Sequence, residues 1–379
     1  MQAVYSPARS VIVWKRFHEG ELEGLTTIAR VAQEAGVGVG TVSRVINGSA
    51  SVSEATRRRV LDVVAELGYE PNATARALST GRTRSVGVIA PFFTRPSVIE
   101  RLRGVAPLLA ASGYQLVLFD VERPEQRTGV FRSVIGRVDG LLTISLAPPK
   151  AELRRLAAAG IPVVLVDHAH ESVATVTVDD LEGGRMATEH LLTLGHRRIA
   201  FAGDTVDGVH GASASSRRCA GYQRALADAG VPLRPELVKL RPHGRHAAEI
   251  ADELFALAAP PTAVFAASDL QALAMIEALE ALGRRVPDDL SVVGFDDVEL
   301  ARYAGLTTVA QPLKDSGTRG AELLLSALEG EDVLQARQHL SLELVVRGTT
   351  APPREGETGR GERGPMTAMD GMISKSSPT

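Results

Sequence analysis

Between Thr26 and Tyr69 the apolar residues fall at helical spacing. Ile28, Val31, Ala32 and Ala35 form one stripe behind Thr27, a good N-cap, and Gly36 closes it, which predicts a short helix. A second helix begins at Gly38 with Val42, Val45 and Ile46 inward and Val39, Thr41, Ser43 and Arg44 outward, and it ends at Asn47-Gly48. A third starts at Ser53 and carries Val60, Val64 and Leu67 to Gly68. From about Ser85 to Gly348 the pattern changes. Apolar runs recur at Ser85–Ala90, Gln115–Asp120, Gly140–Ser145, Ile161–Asp167, Arg198–Gly203, Thr262–Ser268 and Leu290–Asp296, with helical stretches between them. Such alternation predicts βαβ units and a parallel sheet buried on both faces. After Gly348, Pro, Gly, Arg, Glu and Ser replace the aliphatics, so residues 349–379 read as a tail that cannot offset its ordering entropy.

The predicted fold class is therefore a small all-α unit followed by an α/β core. Two short helices joined at Ala35-Gly36-Val37 and supported by a third make a helix-turn-helix, whose second helix enters a DNA major groove; an ordinary three-helix module with a solvated polar face has the same spacing. Short polar side chains and an arginine suit the DNA reading, because Arg pairs bidentately with guanine while Ser and Thr reach phosphates. The formal net charge of −3 over 379 residues does not advertise nucleic-acid binding, but a small basic module can hide in a larger acidic chain. One cysteine, Cys219, excludes an intramolecular disulfide and fits a reducing cytoplasm. No apolar run approaches the ~18–20 residues of a membrane span. Nucleophile elbow, Walker loop, zinc spacing and dinucleotide-binding glycine fingerprint are all missing, so neither a cofactor nor an enzyme is expected. His190 and His196 have no third ligand near them in sequence and read as helix-face and turn residues, with no metal expected. Arg57-Arg58-Arg59 reads first as a solvated helix face.

Longer stretches of text are more specific than spacing. Val31-Ala32-Gln33-Glu34-Ala35-Gly36-Val37, Thr41-Val42-Ser43-Arg44-Val45-Ile46-Asn47-Gly48, Val52-Ser53-Glu54-Ala55-Thr56-Arg57 and Gly68-Tyr69-Glu70-Pro71-Asn72 occur in that order. They closely resemble the DNA-binding segment of the lac repressor (LacI/GalR) family of transcription regulators. Further markers are Gly195-His196-Arg197-Arg198-Ile199, Arg218-Cys219-Ala220-Gly221-Tyr222, Ser268-Asp269, Val293-Gly294-Phe295-Asp296-Asp297 and Leu306-Thr307-Thr308-Val309, and they carry the resemblance to about residue 348.

The resemblance implies a helix-turn-helix DNA-binding domain at 25–71, a hinge helix or linker at 72–83, and a periplasmic-binding-protein-like core of two subdomains at 84–348, with chain crossings near 178, 310 and 341. It implies a homodimer on pseudo-palindromic double-stranded operator DNA, most often as a repressor, modulated by a small polar metabolite, a sugar or a related compound, between the subdomains. The DNA-binding residues it implies are Thr27, Val39, Gly40, Thr41, Ser43, Arg44 and Asn47, joined by Asn72, Ala75 and Leu78 from the hinge, with Leu78 as an apolar wedge in the minor groove. Gly40 offers no side chain, so base readout falls on Val39, Thr41 and Arg44.

The effector-binding residues implied are Phe92, Phe93, Asp167, Arg218, Ser268 and Asp296. Asp167, Ser268 and Asp296 also lie at predicted strand ends, where such sheets place ligands. A helix-capping role is the rival for the Asp296-Asp297 pair. Sugar-binding members often carry a tryptophan in the segment matching Leu240–Arg245, and this chain has Arg241-Pro242-His243-Gly244-Arg245 instead, which leaves a charged or phosphorylated metabolite open.

Two other classes compete. A solute-binding protein with a helical head lacks the expected export signal, and a Rossmann-type oxidoreductase lacks its glycine fingerprint. Residues 1–24 have no counterpart in the resemblance and read as a mis-assigned start or as a basic arm carrying Lys15 and Arg16. With no leucine in 351–379, a heptad tetramer is not expected.

Overall fold

The computed structural model describes residues 27–46, 48, 51–69, 81–123, 125–205, 214–242 and 246–354. Asn47, Asn72, Ala75, Leu78, His243, Arg245 and the 1–24 segment lie outside them. The chain divides into two compact units between Thr83 and Arg84.

The first unit holds α1 (Ile28–Glu34), α2 (Val39–Ile46) and α3 (Glu54–Glu66). Thr27 caps α1 by accepting the Arg30 N–H, and Ser53 caps α3 by accepting the Thr56 N–H. Gly36 takes φ +63 at the turn between α1 and α2, a conformation that a side chain would strain. Val31, Ala32, Ala35, Val42, Val45 and Val60 fill the centre, so the stripes read from spacing are the faces that meet.

The second unit contains two six-stranded sheets. Its elements are β1 (Ser85–Ala90), α4 (Pro96–Ala111), β2 (Gln115–Asp120), α5 (Gln126–Ser133), β3 (Gly140–Ile144), α6 (Lys150–Ala158), β4 (Val163–Val166), β5 (Ala174–Thr177), α7 (Asp180–Thr193), β6 (Ile199–Asp204), α8 (Ala214–Asp228), β7 (Val238–Arg241), α9 (Ala247–Phe255), β8 (Ala263–Ala266), α10 (Asp269–Ala281), β9 (Ser291–Asp296), α11 (Glu299–Tyr303), β10 (Thr307–Ala310), α12 (Leu313–Leu328), β11 (Arg337–His339) and β12 (Glu343–Val345). The strand orders are β11-β5-β4-β3-β1-β2 and β12-β10-β9-β8-β6-β7, parallel throughout except for β12 against β10. Each sheet is apolar on both faces, as parallel sheets under helices require.

The chain passes from the first sheet to the second after β5, returns after β10 when α12 packs on the first sheet, and passes over again between β11 and β12. Two helix pairs meet at backbone contact. A Cβ on Gly104 of α4 would lie 2.1 Å from the Lys314 carbonyl oxygen, and one on Gly317 of α12 would lie 2.0 Å from that of Arg101. In the second subdomain a Cβ on Gly221 of α8 would lie 2.0 Å from the Leu181 carbonyl oxygen, and one on Gly184 of α7 would lie 2.1 Å from that of Arg218.

The reading of 349–379 as a structureless tail is corrected at its start. The Thr349 hydroxyl donates to Val292 O and accepts the Thr307 N–H, the Ala351 carbonyl accepts from His196 Nε2 and Ser291 Oγ, and Arg354 pairs with Asp289. Backbone and hydroxyl bonds hold this strip, and composition does not reveal them.

Candidate functional site

Because the strands run parallel, their carboxyl ends gather along one edge of each sheet. Of the six described non-glycine residues with positive φ, five follow such ends: Phe92 (φ 50) after β1, Ser145 (φ 52) after β3, Asp167 (φ 65) after β4, and Asp296 (φ 124) with Asp297 (φ 55) at the end of β9. Such conformations cost roughly 1–3 kcal/mol each and persist where surrounding structure imposes them, often at functional sites. Backbone strain therefore marks this edge independently of any motif.

A continuous polar chain runs through it. Ser145 Oγ donates to Asp167 Oδ2 at 2.6 Å, and Asp167 Oδ1 lies 3.2 Å from Arg101 Nη2. The same guanidinium nitrogen donates to Gln311 Oε1 at 3.2 Å, and Gln311 Nε2 donates to Asp296 Oδ1 at 2.6 Å. Arg218 Nη1 stands 3.8 Å from Asp296 and donates to the Ala267 carbonyl, while its Nε donates to Asp180 Oδ1 at 2.9 Å. The Arg218 guanidinium lies 3.6 Å from the centre of the Phe295 ring, a cation–π contact. At the rim, Arg95 faces Asp204 at 3.8 Å. Arg101, Asp167, Gln311, Thr177 and Ser316 line a solvent-open recess too narrow to admit a water-sized sphere. The groups suited to a ligand pair with one another instead.

Asp167, Arg218 and Asp296 are thus brought together. Phe92 is half-buried with Arg95 over its ring, and Phe93 is 39% exposed with its N–H on Asp120. Ser268 is placed differently: its hydroxyl caps α10 by accepting the Gln271 N–H and donates to Gln271 Oε1. The capping role weighed for Asp296-Asp297 is not what these residues do. Asp297 pairs with Arg347 and Arg302, and the Val298 N–H at the start of α11 goes to Asp269. Sequence reasoning missed Arg101, Ser145, Asp180, Asp269 and Gln311. Arg101 sits in Glu100-Arg101-Leu102-Arg103, which reads as a solvated helix face, and the one available signal was the shared Arg-x-x-Gly at 101–104 and 218–221.

Burial opposes the Arg218 charge, but Asp180, Asp296 and Asp167 outweigh it and hold its pKa above the usual value. Burial pushes the Asp180 and Asp296 carboxyls up against the pull of Arg218. Asp269, fully buried, accepts from Thr308 Oγ1 at 2.5 Å and from the Val298 N–H, and burial with Asp296 nearby raises its pKa to about 7. A raised folded-state pKa contributes stability that is complete below the unfolded value near 3.8 and is lost as pH rises through about 7. Thermal unfolding should therefore come several degrees earlier at pH 8 than at pH 5.5. Asp269→Asn, which can accept from Val298 and donate to Thr308, should flatten much of that slope; an unchanged slope would assign it to other groups. Burial also raises the Cys219 thiol, which is an inert packed residue rather than an activated one.

On α2, Val39 is 46% exposed, Thr41 and Ser43 are half-buried, and Val42 and Val45 point inward. Arg44 is exposed, and its Nε donates to the Gly40 carbonyl at 3.1 Å. A side chain at position 40 would begin 4.0 Å from Arg44 Nη2, an ordinary van der Waals contact, so the guanidinium can lie along the helix whether or not this residue is glycine. Thr27 is already engaged as the α1 cap. Arg57 pairs with Glu54, and Arg58 and Arg59 are exposed on α3, as a solvated face requires. Among the described residues, no group of three or more side chains could hold a metal ion, and no helix is long and apolar enough to cross a membrane.

Comparison with known proteins places both units. Residues 27–72 match the lacI family of bacterial regulatory proteins, and residues 188–350 match the periplasmic binding protein-like domain. The chain is 39% identical to the HTH-type transcriptional regulator CelR of Thermobifida fusca over 339 residues, covering 85% of this chain and 97% of that protein. Its fold is similar to a transcriptional regulator CelR–cellobiose complex, with TM-score 0.63, 36% identity and coverage of 86% and 99%. It is also similar to the lac repressor dimer bound to operator and the anti-inducer ONPF, with TM-score 0.74, 26% identity and coverage of 86% and 99%. A helix-turn-helix followed by a two-sheet core with a strained, charged strand-end edge, matched over most of its length at this identity, belongs to the lacI family of bacterial regulatory proteins.

Proposed function

We propose that the protein is a transcription regulator of the cytoplasm, not an enzyme, that binds a pseudo-palindromic operator as a homodimer and changes its operator affinity when a small polyhydroxylated metabolite enters the cleft. The observation that carries this reading is the buried Asp167–Arg101–Gln311–Asp296–Arg218–Asp180 chain at the strand ends of both subdomains. Carboxylates accept from hydroxyls and guanidinium forks donate to them, so this set recognises sugar-like surfaces.

The charge balance favours a neutral ligand. Three carboxyls, Asp167, Asp180 and Asp296, already pair with the two guanidiniums, Arg101 and Arg218. An added phosphate or carboxylate would have to compete with these carboxyls for both cations. This supports a sugar over the charged or phosphorylated metabolite that the missing tryptophan left open. For the dimer, Ile99 of α4 and Leu300 and Tyr303 of α11 are exposed around the Arg103–Glu299 ion pair, which joins the two subdomains at 3.6 Å. A partner seated there would feel any shift of one subdomain against the other.

In the DNA complex α2 enters the major groove with Val39, Thr41 and Arg44 toward the bases. Thr27, Gly40, Ser43 and Asn47 contribute phosphate contacts or close approach, and Asn72, Ala75 and Leu78 form the minor-groove hinge. Arg44→Ala should lose about 1–3 kcal/mol of discrimination between a selected operator and a mutated one, measured by fluorescence anisotropy. A uniform loss on all duplexes would move Arg44 to phosphate, and no loss on any duplex would contradict the assignment of α2 as the reading helix.

A further inference from the structure

The two subdomains repeat one local design. In the first, α4 carries Arg101-x-x-Gly104 and packs against α12; in the second, α8 carries Arg218-x-x-Gly221 and packs against α7. The contacts correspond position by position. A Cβ on Gly104 would strike Lys314 O and Thr318 N, and one on Gly221 would strike Leu181 O and Arg185 N. A Cβ on Gly317 would strike Arg101 O, and one on Gly184 would strike Arg218 O. Both partner helices begin just after a chain crossing, with Leu313 and Asp180 as their first residues, each four positions before the contact glycine. Arg101 and Arg218 therefore occupy equivalent places, and each meets an aspartate at a strand end: Asp167 at 3.2 Å after β4 and Asp296 at 3.8 Å at the end of β9.

The repeat breaks at one position. Arg218 Nε donates to Asp180, but the matching first residue of α12 is Leu313, whose side chain has no acceptor atom. Accordingly Arg101 Nε has no hydrogen-bond partner among the described residues, although its side chain is only 3% exposed. A buried guanidinium N–H without an acceptor is costly, and its acceptor is then sought in a ligand. Between the two Arg–Asp pairs lies the Gln311 amide, accepting from Arg101 and donating to Asp296. A single hydroxyl has the same ability to accept from one group and donate to another.

We propose that Arg101, held by Asp167, is a specificity-determining residue: the first subdomain's counterpart of Arg218 with Asp296, so that a neutral sugar is gripped by one Arg–Asp clamp from each subdomain, with an oxygen of the sugar accepting from Arg101 Nε. The proposal rests on the reading of the cleft as a ligand site. A ligand spanning both clamps draws on both subdomains at once, which couples recognition to their relative position.

The test uses the full chain and a thermal-shift panel of neutral mono- and disaccharides, including cellobiose and ribose, with sugar phosphates and uronic acids as controls; the sugar giving the largest shift is then titrated calorimetrically. Arg101→Met combined with Asp167→Asn removes both charges together, so that no buried charge is left alone. Arg101→Lys keeps the charge but removes the fork. Circular dichroism and the melting temperature establish that each variant is folded, and the single substitution serves if the double one is not. Both variants are expected to bind the sugar at least tenfold more weakly than wild type. A purely structural Arg101 would lower the melting temperature and leave the sugar dissociation constant unchanged, and that result overturns the proposal while the cleft reading stands. If no neutral sugar shifts the wild-type protein, or if only the anionic controls do, the reading of the site fails and the proposal fails with it.

Discussion

Gly221→Ala is expected to remove much of the stability of the α/β unit. The added Cβ would begin 2.0 Å from the Leu181 carbonyl oxygen and 2.7 Å from the Arg185 nitrogen, both backbone atoms of α7 that no rotamer change can move. The helices must part by more than an ångström, and the apolar contacts between them loosen along their length. Overpacking of this kind costs typically about 1–3 kcal/mol and more when backbones collide, so the upper end applies. Function suffers as well, because Arg218 lies three residues before Gly221 and Asp180 one before Leu181. The control is Gly129→Ala in α5, where a Cβ meets nothing within 4 Å and should gain up to about 1 kcal/mol of helix propensity. Denaturant midpoints compare the two; equal midpoints would contradict the close approach of α7 and α8.

Arg218→Ala is the second large effect. From its motif position alone, this substitution reads as one that silences the effector response and leaves the rest of the protein intact. The structure changes that expectation. Arg218 is buried with Asp180, Asp296, the Ala267 carbonyl and the face of Phe295, and its removal strands two carboxyls in the interior. Breaking a buried pair from one side costs about 3–5 kcal/mol, which for a unit of this size lowers the melting temperature by roughly 10 °C. Part of the loss should return at pH 5.5, since orphaned buried acids are tolerated once protonated. Arg218→Met with Asp180→Asn strands fewer charges and should melt closer to wild type. If Arg218→Ala melts with the wild type at pH 7.5, the buried network contributes nothing to the fold.

Much of the architecture could be read from the chain because its signals are local. The apolar runs at 85–90 and 115–120 are the strands β1 and β2 to the residue, and Thr27 caps the helix it was expected to cap. The strands β5, β7, β10, β11 and β12 did not stand out, because polar or charged residues interrupt them, as in Ala174–Thr177 and Arg337–His339, whereas the equally short β4 and β8 are wholly apolar. The site was legible in part. Asp167, Arg218 and Asp296 do converge, but Ser268, put forward by both its motif and its strand-end position, turns its hydroxyl to cap a helix. Arg101 escaped because its partners are tertiary: Gln311 is 210 residues away, and an arginine beside Glu100 and Arg103 on a helix gives no hint of burial.

Whether this chain reads DNA sequence as a two-fold dimer is decided by selecting binding sites for the full-length protein from a random duplex library, then measuring anisotropy on the enriched site and on an unselected duplex of equal length at physiological salt. An inverted repeat is expected, bound at least about a thousandfold more tightly than the unselected duplex, with two chains per site. Equal affinity for the two duplexes, or an enriched site without two-fold symmetry, would contradict that reading.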